Sequence, residues 1–343
     1  MMATEFEHQT RQATYQRNTS LEGLLGEINR LLEPVEAGVR ERFQKPRWPL
    51  ILVVGAPRSG TTLMTQWLAT LGQFAYPTNL LSRFYQAPYV GALIQQMLTD
   101  PAYQFRDEFK ELSEARASFD SSLGKTSGLL APNEFWYFWR RFFPYQEVHY
   151  LDHDALAQID SATFLAELAG LEATFDKPLA MKGMIANCNL DYLDDLLDRV
   201  VFVYTKRRPF FNAQSLLTAR LKYSGNLDEW YSFRPKEYAM LKKMDPYHQV
   251  AGQIHYLNQA IETALARVSE ERRLVVDYED FCESPGRVYE RLHACCQAQG
   301  YEMAPDYSGP KQFATTDRVT VTEDEARLIH EAIDHFSTET AQP

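Results

Sequence analysis

Pro49-Leu-Ile-Leu-Val-Val54 is followed at once by Gly55, four residues, Gly60 and Thr61-Thr62. Leu63, Met64, Trp67, Leu68 and Leu71 then recur at helical spacing, with Gly72 placed to end the helix. A short, continuous apolar run suits a strand buried on both faces of a parallel sheet. Two glycines with four residues between them let the segment turn with its N–H groups facing inward. The helix starting near Thr61 adds the positive end of its dipole, so strand, loop and helix together make an anion pocket.

Three more apolar runs read as core strands: Pro178–Lys182, Val200–Thr205 and Arg273–Asp277. Each precedes a helical pattern. Pro209 opens one helix, carrying Phe210, Ala213, Leu217 and Leu221. Ser284-Pro285 opens another as cap and first-turn proline, running towards Gly300. Alternating strand and helix predicts an α/β fold, a three-layer parallel sheet of the phosphate-loop type flanked by helices. One domain is expected over 46–340, with 73–175 a mostly helical insertion covering the site. Residues 1–45 divide into a disordered start, to about residue 18, and a helical extension. In that extension Leu24, Leu25, Ile28, Leu31 and Leu32 form a stripe, and Pro34 ends or restarts the helix. The extension packs on the body or on a second chain, which leaves an oligomer open.

The chain of 343 residues carries a formal net charge of −11. That argues against a nucleic-acid partner, although a local basic patch can hide inside an acidic total. No stretch has the roughly 18 apolar residues of a membrane helix. The polar N-terminus lacks the apolar core of a signal peptide, so the expected location is the cytoplasm. Cys188, Cys282, Cys295 and Cys296 form no C-x-x-C pair and are expected as reduced, inert thiols. His149 and His153 could share a metal on a helix, but no third ligand cluster stands out, so no metal is expected.

Residues 59 to 99 contain no Asp or Glu, where average usage gives about five. A carboxylate there would repel a bound anion. The hydroxyls of Ser59, Thr61 and Thr62 add donors, and Arg58 adds a permanent charge. Thr61 stands where a nucleotide-hydrolysing loop has its lysine. Two other strands end in Lys182 and in Thr205-Lys206-Arg207, where a magnesium site would want a carboxylate; only the Asp277 strand offers one. A diphosphate-like ligand that needs no metal fits better than ATP.

Pro57-Arg-Ser-Gly-Thr-Thr62 resembles the 5′-phosphosulfate loop of sulfotransferases that use 3′-phosphoadenylyl sulfate (PAPS). Val200–Leu217 is similar to that family's 3′-phosphate motif, an arginine at a strand end followed eight positions later by a helical serine, here Arg207 and Ser215. Asp277-Tyr-Glu-Asp-Phe281 with Ser284-Pro285 resembles a third family segment, so the likeness spans about 50–300. It implies PAPS as donor, 3′-phosphoadenosine 5′-phosphate (PAP) as product, and Arg58, Ser59, Gly60, Thr61, Thr62, Arg207 and Ser215 as nucleotide contacts. The family often has Arg-Asp-Pro where Arg207-Arg208-Pro209 stands, and a stacking aromatic in some members where Leu63 stands. Its Arg-Lys-Gly element is not evident; Lys311 is the residue that could serve there.

The resemblance further implies transfer of a sulfonate to a hydroxyl acceptor, a sugar, phenol or lipid-linked compound. Arg58 and Lys182 would stabilise the developing charge. Lys182 is otherwise a surface lysine, and Arg207 and Ser215 are otherwise an ion-paired and a solvated residue. The histidine that serves as base in cytosolic animal-type members is Met184 here. Glu134, an acid among the aromatics of 135–143, is the best replacement base. It could equally cap a helix after Pro132 or pair with Arg140 or Arg141, and the aromatic run itself could be core. His149 and His153 are weaker bases. A P-loop kinase and a non-catalytic nucleotide-binding protein remain the alternatives.

Overall fold

The computed structural model describes residues 11–106, 108, 110–113, 119 and 121–339. In chain order its longer elements begin with helix α1 (Thr19–Arg40), strand β1 (Leu50–Val54) and α2 (Thr61–Thr70). Next come α3 (Pro88–Thr99), α4 (Trp136–Phe142) and α5 (Ser161–Phe175). Strands β2 (Ala180–Lys182) and β3 (Val200–Lys206) lead into α6 (Pro209–Ser224) and α7 (Pro246–Leu265). Strand β4 (Arg273–Asp277) is followed directly by α8 (Tyr278–Glu283) and α9 (Pro285–Ala298).

All four strands are parallel, in the order β2-β1-β3-β4. Side chains of β1 alternate between two cores. Leu50, Leu52 and Val54 join the core that includes Phe164 of α5, Leu216 of α6 and Val250 of α7. Ile51 and Val53 join the core that includes Trp67 of α2 and Leu292 of α9. This is the three-layer α/β architecture expected from the runs, with β1 and β3 buried on both faces because helices cover both. Each fully buried Leu, Ile or Val contributes roughly 1.5–3 kcal/mol. The edge strand β4 is buried on one face only, through Leu274 and Val276, with Val275 exposed. The order reverses at the β1/β3 boundary, and there an open α/β sheet leaves a crevice beyond the carboxyl ends of its strands.

Several details depart from expectation. Helix α1 runs through Pro34 instead of ending or restarting there. Arg30, whose carbonyl loses its bond, and Pro34 both lie on the exposed face, where water replaces that bond. The leucine stripe of α1 also splits: Leu25 is buried, but Leu24 and Leu31 face outward, and the buried places go to Asn29 and Glu36. Asn29 donates to the Arg83 carbonyl at 2.7 Å, and Glu36 accepts the Tyr89 and Val90 N–H groups at the start of α3. These polar anchors tie α1 to the body, a role hydrophobic spacing does not reveal.

Residues 1–10 lie outside the described residues, but 11–18 are ordered, contrary to the disordered start. Gln12 donates its N–H to the Tyr223 carbonyl, Tyr15 packs on Tyr223, and Asn18 caps α1. Between α2 and β2 the chain also forms a hairpin, Ser121–Ser122 against Lys125–Thr126, turned by Leu123 at φ 50° and Gly124 at φ 82°. Ser284 precedes α9 without a side-chain cap bond.

Candidate active site

The loop after β1 is held rigidly from behind. Asn187 donates to the Gly55 carbonyl at 2.8 Å, and Asn212 donates to the Pro57 carbonyl. A side chain at Gly55 would meet Ser59 and Thr205, and one at Gly60, where φ is 99°, would strike the Tyr278 ring. The first i−4 bond of α2 runs from the Met64 N–H to the Gly60 carbonyl. Among the described residues the N–H groups of Gly60 to Leu63 have no intrahelical partner, as at any helix start.

Arg58 sits in this loop at φ 70°, uncommon for a residue with a side chain. Its Nε donates to the Ser215 hydroxyl at 3.1 Å, so the two distant motifs meet in one bond. Burial pulls the Arg58 guanidinium below its usual pKa, and neighbouring Arg207 adds to this while Tyr231 and Glu134 oppose it. No carboxylate pairs with it among the described residues. A desolvated cation with only a neutral hydroxyl as partner is what an anion would relieve.

Arg207 leaves the end of β3 and donates to the Arg58 carbonyl at 3.1 Å. Its Nε and Nη2 both reach Asp317, at 2.9 and 2.6 Å. The pairing is with a buried acid, not the surface acid considered from sequence. Asp317 also accepts from Arg208 at 2.9 Å, and Glu279 holds the other side of Arg208. Burial works to raise the Asp317 carboxyl, but the two guanidiniums outweigh it and hold it below the usual range. Arg207 and Arg208 thus share one acid that lies 110 positions downstream of Arg207. Thr316, beside it, also accepts from Arg207; Lys311 of the same segment is exposed. In the sequence only the adjacent bases Arg207-Arg208 hinted at a distant acid partner. Leu63 packs against the core beside Trp67.

Lys182, at the end of β2, is 6% exposed, not a surface lysine. Its ammonium donates to Thr62 Oγ1 at 2.8 Å and to Glu134 Oε1 at 3.0 Å. Glu134 neither caps α4, whose preceding residue Phe135 has φ 53°, nor pairs with Arg141, which makes a two-point bond to buried Glu167. Its side chain is 45% exposed, so the burial expected among aromatics is not met. Phe135, Phe138 and Trp139 form core, while Trp136 and Tyr137 line the site. The Leu123-Gly124 turn roofs this centre. A Cβ on Gly124 would lie 3.3 Å from Thr62 Oγ1, and Tyr231 holds the turn by donating to the Leu123 carbonyl.

These groups open onto a cavity of about 570 Å³. Arg58, Thr61, Thr62, Glu134 and Lys182 line it; Ser59, Gly60, Arg207 and Ser215 lie outside its wall. The Ser59 hydroxyl instead bonds Thr205 Oγ1 at 3.1 Å. Among the described residues the wall carries seven arginines and lysines against two carboxylates, Glu22 and Glu134, in a chain that is acidic overall.

His149 also touches the cavity, but the helix expected to carry it begins only at His153. Its Nδ1 accepts the Arg234 N–H at 3.0 Å, and burial, helped by the Arg234 and Arg140 charges, pushes its pKa down to about 3. The unfolded chain takes up this proton near pH 6.5, the folded chain only near 3, so stability falls as pH drops between those values. At pH 5 the loss from this residue is about 2 kcal/mol. Urea unfolding at pH 7.5 and 5.0 is expected to show that difference between wild type and His149→Gln; parallel pH dependences would disprove it.

The family model described as the sulfotransferase family matches residues 49–302. Similar solved structures include sulfotransferase STF1 from Mycobacterium tuberculosis H37Rv, at 14% identity over 91% of this chain and 82% of that one, with a TM-score of 0.47. Sulfotransferase STF9 from Mycobacterium avium matches at 15% over 84% and 68%, with a TM-score of 0.44. The sulfotransferase domain from the curacin biosynthetic pathway matches at 16% over 87% and 99%, with a TM-score of 0.42. No curated protein sequence matches the chain.

Proposed function

Because the chain belongs to the sulfotransferase family, we propose that it moves a sulfonate from PAPS to a hydroxyl acceptor, such as a glycan or small metabolite, in line and without a metal. The observation that carries this reading is Arg58: a desolvated guanidinium facing the cavity beside the first-turn amides of α2, with no carboxylate partner for the one and no acceptor for the others among the described residues. The residues present fit an adenosine carrier with phosphates at both ends. The loop amides, Arg58, Thr61 and Thr62 would hold the 5′-phosphosulfate. Arg207 and Ser215 would hold the 3′-phosphate, with Asp317 sharing or yielding the Arg207 fork. When bound, the donor supplies an activated sulfonate.

The chain's own residues divide the remaining work. Arg58 and the helix start stabilise negative charge building on the phosphate side. Lys182, fixed between Thr62 and Glu134, directs its ammonium at the sulfonate. Glu134, partly open to the cavity, takes the proton from the acceptor hydroxyl. Among the described residues no helix is long and apolar enough to cross a membrane, and we take the reaction to be cytoplasmic.

Thermal unfolding with PAP, without magnesium, tests the donor assignment. Stabilisation of about 2.7 kcal/mol is expected at a hundredfold excess over Kd. Stabilisation by ATP with magnesium, and none by PAP, would instead indicate phosphoryl transfer.

A further inference from the structure

The edge of Arg207 that would grip a 3′-phosphate is taken by the protein itself. A guanidinium offers an oxyanion its Nε and one terminal nitrogen as a fork. In Arg207 both donate to one oxygen of Asp317, at 2.9 and 2.6 Å. The same terminal nitrogen also donates to Thr316 Oγ1 at 2.9 Å, and the other one holds the Arg58 carbonyl at 3.1 Å. Arg208 takes the second Asp317 oxygen at 2.9 Å. The Asp317 side chain is 1% exposed and that of Arg207 7%, so the fork is closed to solvent. The carboxylate makes the bonds an oxyanion ligand would make, two to one arginine's fork and a third to the next arginine.

Asp317 rides on a strap without regular secondary structure, between α9 and helix α10 (Glu323–Glu339). One end of the strap is fixed where the Phe313 N–H donates to the Cys282 carbonyl at 2.7 Å and the Phe313 ring lies against Phe281. The other end is fixed by buried Gln214 of α6, which donates to the Arg318 carbonyl at 2.9 Å and accepts the Thr320 N–H at 2.8 Å. Residues 314–316, between these anchors, are exposed. Asp317 can therefore withdraw without breaking a helix or a strand.

We propose that Asp317 is a built-in competitor for the 3′-phosphate: it holds the Arg207 fork until a nucleotide bearing that phosphate displaces it, and so it sets the selectivity for the donor. The proposal rests on the PAPS reading and adds a selecting residue to it. A phosphate monoester carries more charge and more acceptor oxygens than a carboxylate, which lets it win the two guanidiniums from Asp317. A nucleotide ending in a 3′-hydroxyl has no charge to offer the fork and leaves the strap closed. Discrimination then comes from an internal anion that the wrong ligand cannot dislodge, not from the arginines alone.

The test uses the full chain with PAP and adenosine 5′-phosphate (AMP), which differ only in the 3′-phosphate. Calorimetric titration of wild type, Asp317→Asn and Thr316→Val is paired with hydrogen exchange of the strap amides. Asp317→Asn is expected to bind PAP about tenfold or more tightly than wild type does, with AMP affinity held within about twofold. Retained AMP binding also reports a folded site. Thr316→Val removes one bond from the fork at an exposed position, so it is expected to shift PAP affinity the same way by less, and it keeps the test valid if Asp317→Asn misfolds. In wild type, PAP but not AMP is expected to speed exchange of the Arg318 and Thr320 amides, which are bonded to Thr316 and Gln214. Unchanged PAP affinity in the folded variants, or strap exchange unchanged or slowed by PAP, would overturn the proposal and leave the donor assignment standing. Tighter binding of AMP than PAP by wild type, weakened in Asp317→Asn, would assign the carboxylate to a ribose hydroxyl and overturn both. Absence of PAP binding in wild type and variants alike would remove the donor assignment, and the proposal with it.

Discussion

Arg58→Ala is expected to lower sulfonate transfer on the order of 10³-fold, the scale of removing a preorganised group that stabilises developing charge. The side chain is poised before any ligand arrives. Its Nε is fixed on Ser215, its carbonyl accepts from Arg207, and its guanidinium is partly stripped of water. A desolvated charge of this kind acts more strongly than the same charge in solvent. Alanine keeps the loop's anchors at Asn187 and Asn212, so the fold should survive and the loss should fall on turnover and PAP affinity together. Arg58→Lys should rescue little, because an ammonium cannot reproduce the planar fork. The measurement is transfer of labelled sulfonate beside a PAP-binding isotherm. Turnover within tenfold of wild type would remove Arg58 from the mechanism.

Glu134→Gln is expected to reduce kcat by roughly 10²- to 10⁴-fold and to leave PAP affinity unchanged. The amide keeps an oxygen for Lys182 and nearly the same shape, so the substitution isolates proton acceptance from packing. The site offers few substitutes. His149 is buried, with Nδ1 occupied and its pKa near 3, and Met184, whose sulfur accepts the Thr61 hydroxyl, carries no basic group. Full activity in Glu134→Gln would reject the assignment and leave Lys182 paired with a merely structural acid.

Much of the fold could be read locally. The four apolar runs became the four strands nearly residue for residue; in β1 and β3 burial on both faces demands uninterrupted apolar side chains, while edge strand β4 buries Leu274 and Val276 on one face. Pro209 and Pro285 stand at the starts of their helices as a proline should. The exceptions have physical causes. Pro34 is tolerated because its side of α1 is wet. The hairpin at 121–126 has only two residues per strand, too few for period-two alternation to register, although Leu123-Gly124 is a turn pair. The ordering of residues 11–18 depends on Tyr223, far along the chain, which a scan of the N-terminus cannot see.

The candidate site divides in the same way. Strand, glycine loop and helix start follow from contiguous residues, since backbone geometry and the helix dipole are local properties, and so the sequence by itself determined that β1 ends in a glycine turn that opens a helix. Which charges would stand around that turn was decided only by tertiary structure. Arg58 meets Ser215 across 157 positions, Arg207 meets Asp317 across 110, and Lys182 meets Glu134 across 48. An acid within reach of several bases in sequence has no preferred partner until the sheet brings particular strand ends and loops together. Coulomb attraction acts through space and desolvation, and both are set by the packed fold.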